Sequence, residues 1–221
     1  MKRLIFFLLA MGGAFSLSAQ VRMPEYTFAT GNSSGSWSIV NGRALQSDQT
    51  ARLAKVNVRA HQSGAMVYDF NARYEGGSEN GHGGFGIHVF VDSVIHRVSW
   101  GSGKSYLLWL NYDENPLPNS RIPVGLSGQV YRSRSNTQMD LIHSVDLNQY
   151  AYLLTPENLA QPIHFKIWVN GDTGEVRILD PTDPYLSTYY YFNIPQADLP
   201  MKGEWVSLRS NGLKISFAPE E

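Results

Sequence analysis

Cysteine is absent from the 221-residue chain, so no disulfide and no thiolate zinc site can hold the fold together. Charge is sparse as well. Only 17% of residues are charged, and 18 Lys+Arg against 19 Asp+Glu leave a net charge of −1. Without a basic excess the chain has no electrostatic footprint for nucleic acid or for an anionic membrane surface. Long apolar runs are missing too. The segment from Leu4 to Ala14 spans roughly eleven residues, where a membrane-crossing helix needs about 20, so no transmembrane anchor is expected. No stretch keeps a helical apolar period.

What is present is aromatic and apolar. Hydrophobic residues make up 43% of the chain and aromatics 12%, which excludes disorder as a global description. The length suits one all-β domain, a class that commonly runs to roughly 200–250 residues. Lys2 and Arg3, the apolar run, and then the small residues Ser16 to Ala19 before Gln20 follow the three-part layout of a secretory signal peptide. The expected organisation is a leader over 1–19, a lead-in over 20–35 and a single β-sandwich over 36–221. The chain is expected to be exported, to the periplasm or beyond the cell, after cleavage near Ala19.

Alternation carries the fold class. From Ala65 to Glu75, Met66, Tyr68, Phe70, Ala72 and Tyr74 fall on one face, with Asp69, Asn71, Arg73 and Glu75 on the other. That is the period-two signature of a half-buried strand. Phe85, Ile87, Val89 and Val91 repeat it opposite Gly86, His88, Phe90 and Asp92. Asn41-Gly42 between Trp37–Val40 and Arg43–Gln46 is a hairpin signal, because a type I′ turn needs positive φ at both central residues. Further strands are expected at Val94–Trp100, Ser105–Tyr112, Gln129–Ser133, Met139–Val145, His164–Asn170, Glu175–Leu179, Thr188–Ile194, Trp205–Arg209 and Leu213–Phe217. Thr155 as N-cap with Pro156 behind it marks one short helical turn. Many short strands, regular turns and at most one or two helical turns predict an all-β, two-sheet antiparallel jelly-roll sandwich.

Four segments resemble the concanavalin A-like lectin/glucanase superfamily, especially its laminin-G-like jelly rolls. They are the Trp37–Gln46 strand-turn-strand, the glycine-led run from Gly83 to Val89, the late hairpin from His164 to Val176, and the closing pair from Gly203 to Phe217. The resemblance spans about Trp37 to Phe217 and implies the fold; these loose strand-turn patterns do not name a ligand. It also implies a concave sheet face on which a ligand would sit.

Polar and aromatic residues turned away from the core are the candidates for that face. They are Asp69, Asn71, Arg73, His88, Asp92, Trp109, Asn111, Asp113 and Trp168. An aromatic face stacks on the apolar face of a pyranose, while amides and carboxylates satisfy its hydroxyls. Sheet packing accounts equally for the two tryptophans, and a solvated charged face for Asp69, Asn71 and Arg73. Tyr185, Tyr189 and Tyr191 belong to the most aromatic segment and form a candidate assembly surface.

Catalysis is read as absent. The superfamily's glucanases carry Glu-x-Asp-x-x-Glu on one strand, and this chain has no such motif. A cross-strand pair such as Asp69 with Asp92 keeps an atypical glycoside hydrolase as an alternative, since such enzymes need carboxyl groups roughly 5–9.5 Å apart. Gly101-Ser102-Gly103-Lys104-Ser105 lacks the spacing of a phosphate loop. No cofactor is expected; a structural calcium on Asp172 with Glu175, or on Asp180 with Asp183, competes with ordinary turn chemistry for the same residues. The leading expectation is an exported noncatalytic module that binds a glycan or cell-envelope polymer. The alternative partner is another envelope protein, with the chain as a coat or accessory subunit of a filament.

Overall fold

The computed structural model describes residues 19–21, 26–28, 35–183, 185 and 187–219. The leader expected over 1–19 lies outside them except for Ala19.

The strands are β1 (Ala19–Val21), β2 (Tyr26–Phe28), β3 (Trp37–Val40), β4 (Arg43–Gln46), β5 (Ala54–Ser63), β6 (Ala65–Gly77), β7 (His82–Val91) and β8 (Ser105–Asp113). They continue with β9 (Gly125–Ser133), β10 (Met139–Asp146), β11 (Ile163–Asn170), β12 (Glu175–Leu179), β13 (Thr188–Asn193), β14 (Lys202–Asn211) and β15 (Leu213–Pro219). One sheet runs β13-β12-β11-β6-β15-β4-β3, with β1 added in parallel to β6; the other runs β10-β9-β8-β7-β14-β5-β2. Every other pairing is antiparallel. The chain is an all-β two-sheet sandwich.

The core is where the two alternations meet. Met66, Tyr68, Phe70 and Ala72 from β6 face Ile87 and Val89 from β7, Val56 and Val58 from β5, and Val206 and Leu208 from β14, all of them buried. Phe70 stacks on Phe165 with centroids 5.4 Å apart, and Phe85 meets Phe165 edge-on at 5.6 Å. A packed core of this kind does the work that disulfides do in smaller exported domains.

Turn chemistry falls where the sequence places it. Asn41 and Gly42 have φ of 50° and 74° and join β3 to β4. Thr155 caps α1 (Pro156–Leu159), its Oγ1 accepting from Asn158 N at 3.3 Å. Two 3-10 turns, Asn148–Leu153 and Gln196–Asp198, are the other helical pieces among the described residues. None of these helices is long and apolar enough to cross a membrane.

Two expectations differ from the structure. The strand predicted over Val94–Trp100 is an irregular segment linking β7 to β8. Among the described residues no strand pairs with it, and it folds over the outer face of the second sheet instead. Conversely β5, whose Ala54, Val56 and Val58 alternate with Lys55 and Asn57, is a full ten-residue strand that the sequence reading passed over. β1 pairs with β6 and β2 pairs with β5.

Candidate functional site

The registers of five strands lay out a lattice on the outer face of the second sheet. Ser207 on β14 stands opposite Asn57 on β5 and His88 on β7, while Arg209 stands opposite Lys55 and Gly86. On β8, Leu107 faces His88, Trp109 faces Gly86 and Asn111 faces Gly84. On β9, Tyr131 faces Leu107, Gln129 faces Trp109 and Ser127 faces Asn111. All these side chains point outward because their strand neighbours Val56, Leu208, Ile87, Leu108 and Val130 fill the core.

Glycine shapes the middle of the lattice. A Cβ on Gly84 would lie 2.6 Å from Trp109 Cζ2, and one on Gly86 would lie 2.0 Å from Leu108 O. The Gly84-x-Gly86 pair therefore forms a shallow trough in which the half-buried indole of Trp109 lies. Its Nε1 donates to Asn111 Oδ1 at 3.1 Å. Tyr131 Oη donates to Gln129 Oε1 at 2.7 Å, and Gln129 Nε2 donates to Ser127 Oγ at 2.9 Å, so a row of amides and hydroxyls runs beside the ring.

The segment between Asp92 and Ser105 covers the other half of this face. Lys55 Nζ donates to Ser99 Oγ and to Gly101 O, each at 2.7 Å. Arg209 Nη1 donates to Trp100 O, and its guanidinium lies between two indoles, 5.0 Å from the Trp100 ring centre and 5.8 Å from that of Trp109. Ser102 N donates to Ser133 Oγ at 3.0 Å, and Ser133 Oγ to Gly103 O at 2.7 Å. Trp100 itself remains 44% exposed and meets Tyr131 edge-on at 6.3 Å.

Three basic groups are buried here. Desolvation, reinforced by the Arg209 charge, pushes the Lys55 ammonium down to about 7. Desolvation likewise brings Arg209 down to about 10. His88, with Nδ1 3.0 Å from Ser105 Oγ, is held well below the ordinary histidine value by burial and then by Arg209 and Lys55.

The nine residues picked out as ligand candidates do not form one groove. His88, Trp109, Asn111 and Asp113 share the outer face of the second sheet. Asp69, Asn71, Arg73 and Trp168 share the outer face of the first, where β6 and β11 pair Lys166 with Asp69 and His164 with Asn71. The expected faces hold along β6, β8 and β11 and in β7 as far as Val89; there Phe90, expected outward, takes φ of 55° and turns into the core against Tyr68. β6 and β7 belong to different sheets, so faces turned away from one core are back to back. Asp92 sits at the rim of the covering segment, its Oδ1 accepting from Lys104 N at 2.8 Å. Within its own group, His88 is fully buried, and Asp113 pairs with His82 at 3.2 Å at the strand end.

The first sheet's outer face is charge-paired. Asp69 accepts from His164 Nε2 at 2.5 Å and lies 3.4 Å from Lys166 Nζ; Arg73 meets Glu75 at 2.7 Å. Trp168 is half-buried beneath Arg177, whose guanidinium lies 5.2 Å from the ring centre. Asp69 and Asp92 belong to different sheets and do not form a cross-strand pair.

No protein-family model matches the sequence, and no curated protein matches it. Among solved structures, the CBM2 module of an evolved Dit protein of Lactobacillus casei BL23 phage J-1 is similar at 13% identity and a TM-score of 0.46, over 90% of this chain and 79% of that one. The Emp46p carbohydrate recognition domain is similar at 14% and 0.45, over 82% and 81%. The TRIM65 PSpry domain is similar at 9% and 0.43, over 89% and 88%. The likeness is one of fold, and what those proteins bind stays a property of those proteins.

Trp100, Tyr131, Gln129, Lys55 and Arg209 belong to the candidate face and are the residues that sequence reasoning missed. Alternation along Trp205, Ser207 and Arg209 carries a signal for the last, but only the strand order shows that Arg209 neighbours Trp109. The tyrosine segment follows its alternation. Tyr189 and Tyr191 are 65% and 51% exposed on edge strand β13, Tyr185 is 91% exposed before it, and Phe192 is buried beneath. The calcium candidates have turn partners. Asp180 accepts from Thr182 Oγ1 at 2.6 Å and from Thr182 N at 2.8 Å, and Asp183 accepts from Ser187 Oγ and from Tyr185 N, the hydroxyl bonds first and the backbone bonds after them holding both carboxylates below the usual range. Among the described residues no group of three or more His, Asp or Glu comes together as a metal site.

Proposed function

We propose that the chain is an exported, noncatalytic module that binds a glycan or envelope polymer on the outer face of its second sheet. The carrying observation is Trp109 lying over the Gly84-x-Gly86 trough, with Asn111, Gln129 and Tyr131 beside it and Trp100 overhanging. A flat indole offers a platform to the apolar face of a sugar, and the half-buried Tyr131 beside it, held by the buried Gln129, carries a hydroxyl that can accept from one of the sugar's own. Trp168 has no part in this reading, because it stands on β11 of the first sheet, on the opposite side of the sandwich from Trp109.

Saccharide-dependent tryptophan fluorescence tests the proposal. Ligand should change the emission of the wild type and of Trp168→Ala but not of Trp109→Ala. A broad glycan panel without response, with Trp109→Ala folded normally, removes the reading.

A second reading rests on β13. An edge strand with Tyr189 and Tyr191 exposed suits pairing with another envelope protein. Co-purification that is lost in Tyr189→Ser with Tyr191→Ser would favour assembly over glycan binding.

A further inference from the structure

The two outer faces treat charge in opposite ways. On the first sheet, Lys166, Arg73 and Arg177 each meet a carboxylate. On the second, Arg209 and Lys55 are 2% and 1% exposed, and neither touches a carboxylate among the described residues. Their partners are neutral: Ser99 Oγ, Trp100 O and Gly101 O of the covering segment, with His88 Nε2 at 3.4 Å and Met139 Sδ at 3.6 Å also facing Arg209 Nη1. Two neighbouring donors have no acceptor at all, Arg209 Nε and Asn57 Nδ2. Asn57 and Lys55 are successive outward residues of β5, and Arg209 is the cross-strand partner of Lys55. The patch therefore holds more buried donors than acceptors and more positive charge than its surroundings neutralise, an arrangement that is costly without an anion.

Arg209 is enclosed by the rings of Trp100 and Trp109, the Trp100 carbonyl, His88 and Met139. Trp100 stacks over the guanidinium from an irregular segment and is the exposed member of the Trp100–Arg209–Trp109 layer. We propose that this face takes an anionic glycan, one bearing a carboxylate or a sulfate. Its anion meets Arg209 and its ring rests on Trp109 once the Trp100 indole swings aside. The planar guanidinium fork matches either anion, and the Trp100 carbonyl it now holds stands in for an anion oxygen. The inference rests on the glycan reading above and specifies the ligand class.

Two matched polymer pairs test it on the full chain, at about 0.15 M salt, where exposed charges are screened beyond about 8 Å. Polygalacturonate is compared with its fully methyl-esterified form, and dextran sulfate with dextran. At least one charged member should bind about tenfold more tightly than its uncharged partner, the scale of a charge-assisted contact, and the pair that responds separates carboxylate from sulfate. Arg209→Gln should abolish the preference. Should that buried change prevent folding, Trp100→Ala decides, since removing an exposed cover should raise affinity for the charged member and keep the preference. Equal binding within both pairs overturns the inference and leaves the glycan reading standing. A preference lost in Trp100→Ala, or lost in the exposed control Lys202→Gln but kept in Arg209→Gln, also overturns it. No binding of any polymer removes the inference and weighs against the glycan reading itself.

Discussion

The ammonium of Lys55 donates to Ser99 Oγ at 2.7 Å from within the second sheet, and so pins the covering segment with a buried cation. The bond places a titrating group beneath the covering segment on the outer face of the second sheet. Burial and Arg209 lower the Lys55 pKa from 10.5 to about 7. Between about 7 and 10.5 the unfolded chain keeps a proton that the native chain has released, so stability rises with pH across that window. The penalty is fully present below about 7. One proton corresponds to at most about 1.4 kcal/mol per pH unit. Urea unfolding at pH 7, 8 and 9 should show the rise in the wild type and a flatter profile in Lys55→Met. A wild-type curve that falls over this range contradicts the assignment.

His88 extends the same trend to the acid side. Its folded pKa lies well below 6.5 because the ring is fully buried and faces Arg209 and Lys55. Below pH 6.5 the unfolded chain takes up a proton that the native chain refuses, so stability falls on acidification. His88→Gln should reduce the slope between pH 6.5 and 5 in thermal melts, even if it lowers the melting temperature at neutral pH. An unchanged slope would show that His88 does not carry it.

The glycine trough makes a steric prediction. A Cβ on Gly86 meets Leu108 O at 2.0 Å, and main-chain atoms move only by opening the β7–β8 pairing. A Cβ on Gly84 meets Leu110 O at 2.8 Å and the movable edge of Trp109 at 2.6 Å. Gly86→Ala should therefore cost about 1–3 kcal/mol, the scale of core overpacking, and more than Gly84→Ala. Gly84→Ala should in turn shift the Trp109 emission and weaken the sugar response. Equal costs and an unaltered emission would argue against a seated indole.

These glycines also mark how far the sequence could be read. Alternation placed Trp109 and His88 on outward faces, and Asn41-Gly42 placed a hairpin, because both depend on neighbours along the chain. Sheet membership does not. That β6 pairs with β11 and β15, while β7 pairs with β8 and β14, is set by contacts between residues far apart in sequence. One groove was expected where there are two opposite faces for that reason. Arg209 escaped notice for the same reason, since its partners Lys55, Trp100 and Trp109 lie 154, 109 and 100 positions away. The segment around Trp100 misled in a different way. Its Val94, His96 and Val98 mimic a strand, but among the described residues no strand pairs with it.

Trp168 separates packing from binding. It lies on the first sheet under Arg177, an arrangement worth about 0.5–1 kcal/mol at an exposed site. Trp168→Ala should lower stability by about that much plus its lost packing and leave any glycan affinity as in the wild type. Parallel melts and fluorescence titrations check both halves. A loss of affinity without a loss of stability would return Trp168 to the binding site.

Gln62 ties four strands together and should be among the least replaceable polar residues. It is fully buried at the end of β5. Its Oε1 accepts from Tyr68 Oη on β6 and from Phe90 N on β7, both at 2.7 Å, and its Nε2 donates to Trp205 O on β14 at 2.7 Å. Phe90 has φ of 55°, a left-handed conformation that directs its N–H into this contact instead of a ladder bond. Gln62→Leu would leave two donors, Tyr68 Oη and Phe90 N, and two carbonyls, Ala60 O and Trp205 O, without this partner, each buried one costing about 1–3 kcal/mol, for a loss above about 3 kcal/mol. Tyr68→Phe removes one bond and leaves Gln62 Oε1 with Phe90 N, so it should cost about 1 kcal/mol. Chemical denaturation of both variants measures the gap. Equal losses would mean that the four-strand connection through Gln62 contributes no more than a single hydroxyl.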